Sequence, residues 1–370
     1  MKKLIYLSFF TILVGQNPIE DKVQNISIVS TTNIYSEFYD CGCPKNPRGG
    51  LARKTFFLNE VYKGNHIQVD AGNSLFSSDF VNKDNLTIEQ KKFKAKNFVR
   101  TLEFIGQEVV NIGSNDFRAG SDFLKEITTN SSVNFISANL YEKKSNQLLF
   151  KPYHIIERDG ARIAFIGLSQ SARFNDIINK NFIVEGNRYI QELKPNVDII
   201  VLLLNVSDSN ILDLSNSFSD ADYIFLSGDT RRTMPNSPQP KRGPLVYSGD
   251  IQGKFLSILF IRIKNSPQSI KDISKDWYRL QSIQAQLDRL QKKDQSKPLE
   301  ELYSQDPNVL QLITKWRKEG TELGLKLNEI QNFGRFYSVP LEPFYPDDKA
   351  VAQFIEGIAA QADFDLRHSH

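Results

Sequence analysis

The chain has 370 residues, 40% hydrophobic and 24% charged, which is enough to bury a sizeable core and excludes a disordered chain as the default. Its 46 Lys and Arg against 43 Asp and Glu are interspersed, so no basic face points to nucleic acid as a partner. Four histidines and two cysteines leave little material for imidazole or thiolate metal sites.

The chain opens with "MKK" and the apolar run "LIYLSFFTILVG", the pattern of a signal peptide over 1–15. The run is too short to span a bilayer comfortably; a buried strand or an uncleaved anchor is the alternative. No cysteine closes the run, which argues against a lipoprotein, and no later segment is long and apolar enough for a transmembrane span. The expected location is therefore the periplasm or cell envelope. Without Lys2 and Lys3 the chain is nearly neutral.

The first predicted strand is "ISIVSTT", followed by "CGC", with Cys41 and Cys43 as the only cysteines. In an oxidising compartment these form either a small, strained and easily reduced disulfide or a pair of thiols. A two-cysteine metal site lacks further ligands at zinc spacing, and His66 reads as a turn residue before the next strand, "HIQVDAG". The run "LTIEQKKFKAKNFVRTLEFIG" has helical spacing, with "KKFKAK" as a solvated face. Then come "EVVNIG", the helix "GSDFLKEITTN", and the strands "VNFISANL", "RIAFIGL", "DIIVLLLN" and "DYIFLSG". Several are apolar throughout, as in a sheet covered on both faces. "PLVYSG" and "KFLSILFIRIK", separated by "DIQG", read as a closing hairpin.

After Lys264 the texture changes. Trp277, Leu280, Ile283, Leu287 and Leu290 form one helical stripe, and Val309, Ile313, Trp316, Gly320, Leu323, Leu327 and Ile330 form a second. A charged, Pro-containing break between them predicts an antiparallel helical hairpin, packed on the sandwich or on a partner chain. The tail "YSVPLEPFYPDDKAVAQFIEGIAAQ" reads as an extended strip ending in a short helix. The expected divisions are 1–15, 26–265 and a helical extension over 266–370.

Nine stretches, "STTNIYSEF", "GGLARK", "VDAGNSLF", "NIGSNDFRAG", "ISANL", "IAFIGLS", "VLLLNVSD", "LSGDTRR" and "LVYSGDIQGKFLSIL", stand in the order of the catalytic domain of bacterial 5′-nucleotidases. Over residues 26–265 the chain resembles that branch of the calcineurin-like metallophosphoesterase superfamily. The resemblance implies an α/β fold, an αββα sandwich of two packed mixed sheets with flanking helices, here with a C-terminal helical hairpin and extended tail. In that family two divalent ions, held by the strand-end loops, carry a bridging hydroxide that attacks phosphorus.

Against the family's motifs, Asn33 and Tyr35 fall where an Asp-x-His pair is expected, and Asn73 where the bridging aspartate is expected. Ser114, Asn115 and Arg118 replace an asparagine ligand, a histidine and its partner aspartate. Asn205 falls at the next histidine, and Asp229 and Arg231 at the last two. The resemblance thus implies degenerate former metal and catalytic positions, with no metal, cofactor or catalytic residue expected. A guanidinium at Arg231 would repel a dication, and amides supply none of the bridging charge.

The expectation is an exported, catalytically inactive protein, not an enzyme, acting as a structural or protein-binding part of an extracytoplasmic assembly. Its contact surfaces would be the 276–331 helices and the tail. One alternative is capture of an anion or phosphate compound in the old cleft by Arg118 and Arg231. The other is a phosphoesterase using Asp70, Asp116, Asp208 or Asp229 on one metal. The family's aromatic nucleoside clamp and a haem-attachment motif are both lacking from the sequence, so neither nucleotide specificity nor an electron-transfer module is carried over.

Overall fold

A computed structural model describes residues 23–76, 86–170, 174–207, 210–264 and 269–367. The segment 1–15, Asp208, His368 and His370 lie outside the described residues.

The elements, in chain order, are β1 (Gln24–Thr31), α1 (Leu51–Phe56) running into a π-helical turn (Phe57–Tyr62), β2 (Ile67–Asp70) and α2 (Ile88–Phe104). Next come β3 (Val109–Asn111), a 3-10 turn (Ser114–Phe117), α3 (Ser121–Thr128), β4 (Asn134–Ile136), β5 (Leu140–Glu142), β6 (Tyr153–Arg158) and β7 (Ala161–Ser169). They continue with β8 (Ile177–Asn179), α4 (Phe182–Leu193), β9 (Ile199–Asn205), α5 (Ile211–Ser217), β10 (Tyr223–Ser227), β11 (Leu245–Ser248) and β12 (Phe255–Ile263). The last are β13 (Lys271–Asp272), α6 (Ser274–Gln291), α7 (Leu299–Leu302), α8 (Pro307–Asn328), β14 (Phe333–Pro340) and α9 (Lys349–Ala359).

Two mixed sheets form the sandwich. The larger runs β13-β14-β12-β1-β2-β3-β4 and the smaller β11-β10-β9-β7-β6, with β5 and β8 paired apart. Side-chain alternation explains the layering. In β9, Ile199, Val201 and Leu203 face the inter-sheet core, while Ile200, Leu202 and Leu204 face the α4 side with Tyr189, Ile190 and Leu193. In β1, Ile26 and Ile28 face the same inter-sheet core, and Val29 faces outward with Phe57, Leu58 and Leu341. Strands buried on both faces have no polar side to alternate, which is why they read as continuous apolar runs.

α2 begins at a capping box: Gln90 N–H donates to Thr87 Oγ1 at 3.3 Å, and Thr87 N–H to Gln90 Oε1 at 3.0 Å. One face of α2 carries Ala95, Phe98, Val99 and Leu102 into the outer core, where α9 adds Val351, Ile355 and Ile358.

Two expectations need correcting. The proposed hairpin does not form: β11 pairs parallel with β10 in the smaller sheet, whereas β12 pairs antiparallel with β1 in the larger. "DIQG" therefore carries the chain from one layer to the other. The "KKFKAK" face is not wholly solvated, because Lys94 is buried and pairs with buried Glu37 at 3.5 Å. The tail is extended and ends in a helix, as its sequence suggests, and β14 hydrogen-bonds along the length of β12, so it is part of the larger sheet.

The helical hairpin is present. α6 and α8 pack on each other with Ile283, Ile313 and Leu327 buried, and Arg279 pairs with Glu319 at 2.6 Å. α6 also meets β14, where the Arg335 guanidinium lies over Trp277 at 4.3 Å.

Candidate functional site

The parallel strands of both sheets end on one side of the molecule, and the loops beyond β1, β2, β3, β9 and β10 meet there. Asn33 and Tyr35 follow β1, Asn73 follows β2, and Ser114, Asn115 and Arg118 follow β3. Asn205 ends β9, and Asp229 and Arg231 follow β10. Asn33, Tyr35 and Asn73 hold positive φ of 50°, 60° and 59°. Asparagine adopts this conformation at lower cost than most residues; tyrosine does not, and is held there by burial among its neighbours.

Asn33 is fully buried and uses its whole amide. Its Nδ2 donates to the carbonyls of Asp229 at 2.9 Å and Asp250 at 3.2 Å. Its Oδ1 accepts from Asn73 Nδ2 at 3.2 Å and from Gly228 N–H at 2.9 Å. Asn73 Oδ1 accepts in turn from Asn115 N–H at 3.1 Å. Asn205 Oδ1 accepts from Ser114 N–H at 2.9 Å, and its Nδ2 donates to Ser227 Oγ at 2.7 Å. Ser227 passes the chain on to the Ala71 carbonyl at 2.7 Å. The amides thus tie five strand-end loops into one satisfied network.

Two carboxylates lie beneath it. Asp116 is buried and accepts from the backbone N–H of Leu75 and Gly113, both at 2.8 Å, and of Asn73 at 3.2 Å. Burial pushes its pKa up to about 7 against those donors, and the Asp70 carboxylate adds to the rise. Asp70 accepts from Thr31 Oγ1 at 2.6 Å, from Gly72 N–H at 2.8 Å and from Ser74 Oγ. Burial raises it to about 6. The Tyr35 hydroxyl, buried near both, is held well above its ordinary pKa by desolvation and then by the two carboxylates. Lys54, of "GGLARK", is buried, donates to Gln107 Oε1 at 3.0 Å, and is lowered by burial to about 8.

The two arginines of the anion-capture expectation part company. Arg231 projects to solvent and forms a two-point ion pair with Asp229, Nε to Oδ2 at 2.6 Å, so it stands outside the cleft. Arg118 instead lines an open cleft of about 440 Å³ with Ser114, Asn115, Lys91, Leu86, Ile88 and Phe174. Motif order alone does not bring Lys91, Leu86, Ile88 and Phe174 to this cleft. The signal for Lys91 is its place on the helix that packs behind the "GSNDFR" loop.

The donor set does not suit two divalent ions. The asparagine oxygens already accept N–H donors, Asp116 is spent on backbone amides, and Asp229 is spent on Arg231. Among the described residues, no three His, Cys, Asp or Glu side chains converge. The residues present therefore do not fit a two-metal centre, and the arrangement supports no step through one. Of the carboxylates named for a rebuilt site, Asp208 lies outside the described residues.

No family model matches the chain. Its sequence is 22% identical over 357 residues to Protein UshA of Yersinia enterocolitica, covering 84% of this chain and 62% of that one. It is 25% identical over 156 residues to a 5′-nucleotidase of Vibrio cholerae, covering 40% of this chain and 26% of that one. The fold matches the 5′-nucleotidase precursor from Thermus thermophilus with a TM-score of 0.60 at 14% identity, over 91% of this chain and 59% of that one. The chain is thus similar in sequence to bacterial proteins named UshA and 5′-nucleotidase, as its loop motifs imply, and has the two-sheet α/β fold of the 5′-nucleotidase precursor. It spans less than two thirds of the length of these relatives.

The expectation that the chain is not an enzyme is overturned by these relatives, which include proteins named as 5′-nucleotidases. Among the described residues, no helix is long and apolar enough to cross a membrane.

Proposed function

We propose that the cleft beside Arg118 recognises a phosphate ester with an apolar or aromatic body, a nucleoside monophosphate being the class that the relatives' names suggest. The lining carries this reading. Lys91 and Arg118 offer cationic donors, Ser114 and Asn115 neutral ones, and Leu86, Ile88 and Phe174 an apolar wall. The volume of about 440 Å³ is of the size that small-ligand sites have. The Phe174 ring is braced by Phe117, with centroids 5.5 Å apart, so the wall is fixed from behind.

The test is calorimetric titration of the full chain with adenosine monophosphate, inorganic phosphate and adenosine, with phosphate release followed in the same samples with and without Mn²⁺. Saturable binding of the monophosphate, weakened about tenfold by Arg118→Ala while adenosine binds poorly, is the expected result; a lost charge-assisted pair costs about 1.5–3 kcal/mol. No saturable binding up to millimolar concentrations would overturn the reading. Release of phosphate that is lost in Arg118→Ala would place turnover in this cleft.

From the leader-like opening of the sequence we further infer a location in the periplasm or cell envelope, with partners met through the 276–331 helices and the tail. Tyr278, Leu312 and Leu325 support the partner assignment, since all are large apolar side chains exposed on the hairpin. Phe344 in the tail is 62% exposed as well. Cross-linking in whole cells, compared with a Leu312→Glu/Leu325→Glu variant, tests it: unchanged adducts would rule out this surface.

A further inference from the structure

The loop between β1 and α1 is built more tightly than a connection needs. Asp40 and Gly49 form an antiparallel bridge, and Cys41 N–H donates to the Arg48 carbonyl at 2.8 Å. Arg53, itself buried, reaches back to the carbonyls of Pro47 at 2.7 Å and Gly49 at 3.0 Å, and to Asp40 Oδ2 at 3.4 Å. Arg48 Nε donates to Glu342 Oε1 at 2.9 Å, and Gly49 N–H to the Leu341 carbonyl at 3.1 Å. The loop is therefore moored to the β14–α9 connection as well as to its own helix.

What this frame holds is the cysteine pair. In an extended strand, side chains two residues apart stand about 7 Å from each other, twice the rise per residue. Here Gly42 sits at φ 65° with its N–H on Asp40 Oδ1 at 3.0 Å, and the turn swings the two sulfurs to 2.6 Å. Cys41 is buried, whereas Cys43 is partly open to solvent. One thiol is thus presented to an incoming reagent, with a second directly behind it. That is the arrangement a resolving thiol requires.

We propose that Cys41 and Cys43 form a thiol–disulfide exchange site that passes between dithiol and intramolecular disulfide by reaction with an external disulfide. In the oxidising direction the Cys43 thiolate attacks one sulfur of the external disulfide, forming a mixed disulfide and releasing one thiolate, which takes a proton from solvent. The Cys41 thiolate then attacks the Cys43 sulfur, forming the Cys41–Cys43 bond and releasing the second thiol. Two protein thiols are oxidised and one external disulfide is reduced to two thiols. The reverse order transfers the disulfide outward to a dithiol partner. A ring closed across a single residue favours the outward direction, because so small a disulfide ring is strained and readily reduced. The Cys41 thiol, which hydrogen-bonds to Cys43, raises the Cys43 pKa, with burial adding to it, so attack by Cys43 quickens above the ordinary thiol range.

The experiment equilibrates the full chain in mixtures of reduced and oxidised glutathione, quenches with an alkylating agent and weighs the intact protein. The expected result is joint loss of both alkylation sites with a mass lower by two hydrogens, at ratios more oxidising than those that form an ordinary structural disulfide. Oxidation accelerates as pH rises and goes on accelerating above about 8.5, where an ordinary thiol is already half ionised. Cys41→Ser, which has no resolving thiol, accumulates a stable glutathione adduct at Cys43; the unaltered protein does not. Two alkylated thiols at every ratio would overturn the proposal, as would a persistent glutathione adduct or a disulfide-linked dimer of the unaltered chain. The readout concerns the loop alone, so failure of phosphate-ester binding at Arg118 leaves it standing.

Discussion

Asn33 Oδ1 accepts a hydrogen bond from Asn73 Nδ2 at 3.2 Å, joining the ends of two adjacent parallel strands through neutral side chains. Both partners are buried and each has a second role in the network, so the pair behaves as a structural clasp.

A carboxylate in the clasp should be costly. In Asn33→Asp, acceptor oxygens replace the Nδ2 that serves the carbonyls of Asp229 and Asp250. Leaving buried acceptors without donors costs about 1–3 kcal/mol. Chemical denaturation should show a loss in that range, and an unchanged midpoint would remove the clasp from the account.

Stability should follow a trough in pH. Asp116 and Asp70 have folded pKa values of about 7 and about 6, above their ordinary 3.8, so in that window the folded state binds more protons than the unfolded. Their contribution is full below about pH 4 and is lost as pH rises to about 7. Lys54 is lowered to about 8 from 10.5, so the unfolded state binds more protons between those values and stability rises with pH there. Thermal unfolding followed from about pH 4 to 10 should fall and then recover, with the recovery absent in Lys54→Met. A profile that only rises across the acidic half of that range would contradict the carboxylate assignments.

Arg231→Ala should matter little. Its side chain is 60% exposed although Asp229 is buried, and the Arg231 backbone N–H still donates to Asp229 Oδ1 in the variant, so the loss should stay within about 1 kcal/mol. A loss of several kcal/mol on denaturation would mean that the pair organises the β10 loop.

Ile355→Ala should be severe although it lies near the chain's end. Ile355 is 1% exposed and packs in the core shared by α2 and α9. Emptying such a position costs about 2–5 kcal/mol. An effect under about 1 kcal/mol would show that α9 is a detachable ornament.

The strands legible in the sequence are those covered on both faces, such as β9 and β10, where an apolar run has no competing interpretation. β6, with Tyr153, His154 and Ile155 only half-buried at the edge of its sheet, gives a mixed pattern that does not stand out as a strand. β14 is hidden because Arg335, half-buried between Trp277, Phe260 and Tyr337, looks like a surface residue in one dimension. Lys94 misleads for a similar reason, since its partner Glu37 comes from a distant loop. At the site, motif order locates the residues, but Asn33 bonds to carbonyls nearly 200 positions away, and no local pattern encodes such partners. Arg118 and Arg231 look equivalent in the sequence, yet Arg118 lines the cleft while Arg231 pairs with Asp229 at the solvent face.

The pairing of β1 with β12 has a bearing on how the chain comes to be folded. It joins residues 24–30 to 257–263, and the next strand out, β14, follows only at 333–340. Contacts so distant in sequence are slow to find, because the loop between them must close first. Throughout that interval β1 presents an apolar, hydrogen-bond-hungry edge with its intended neighbour missing. The species most exposed to aggregation is therefore the chain arrested before β12 has arrived.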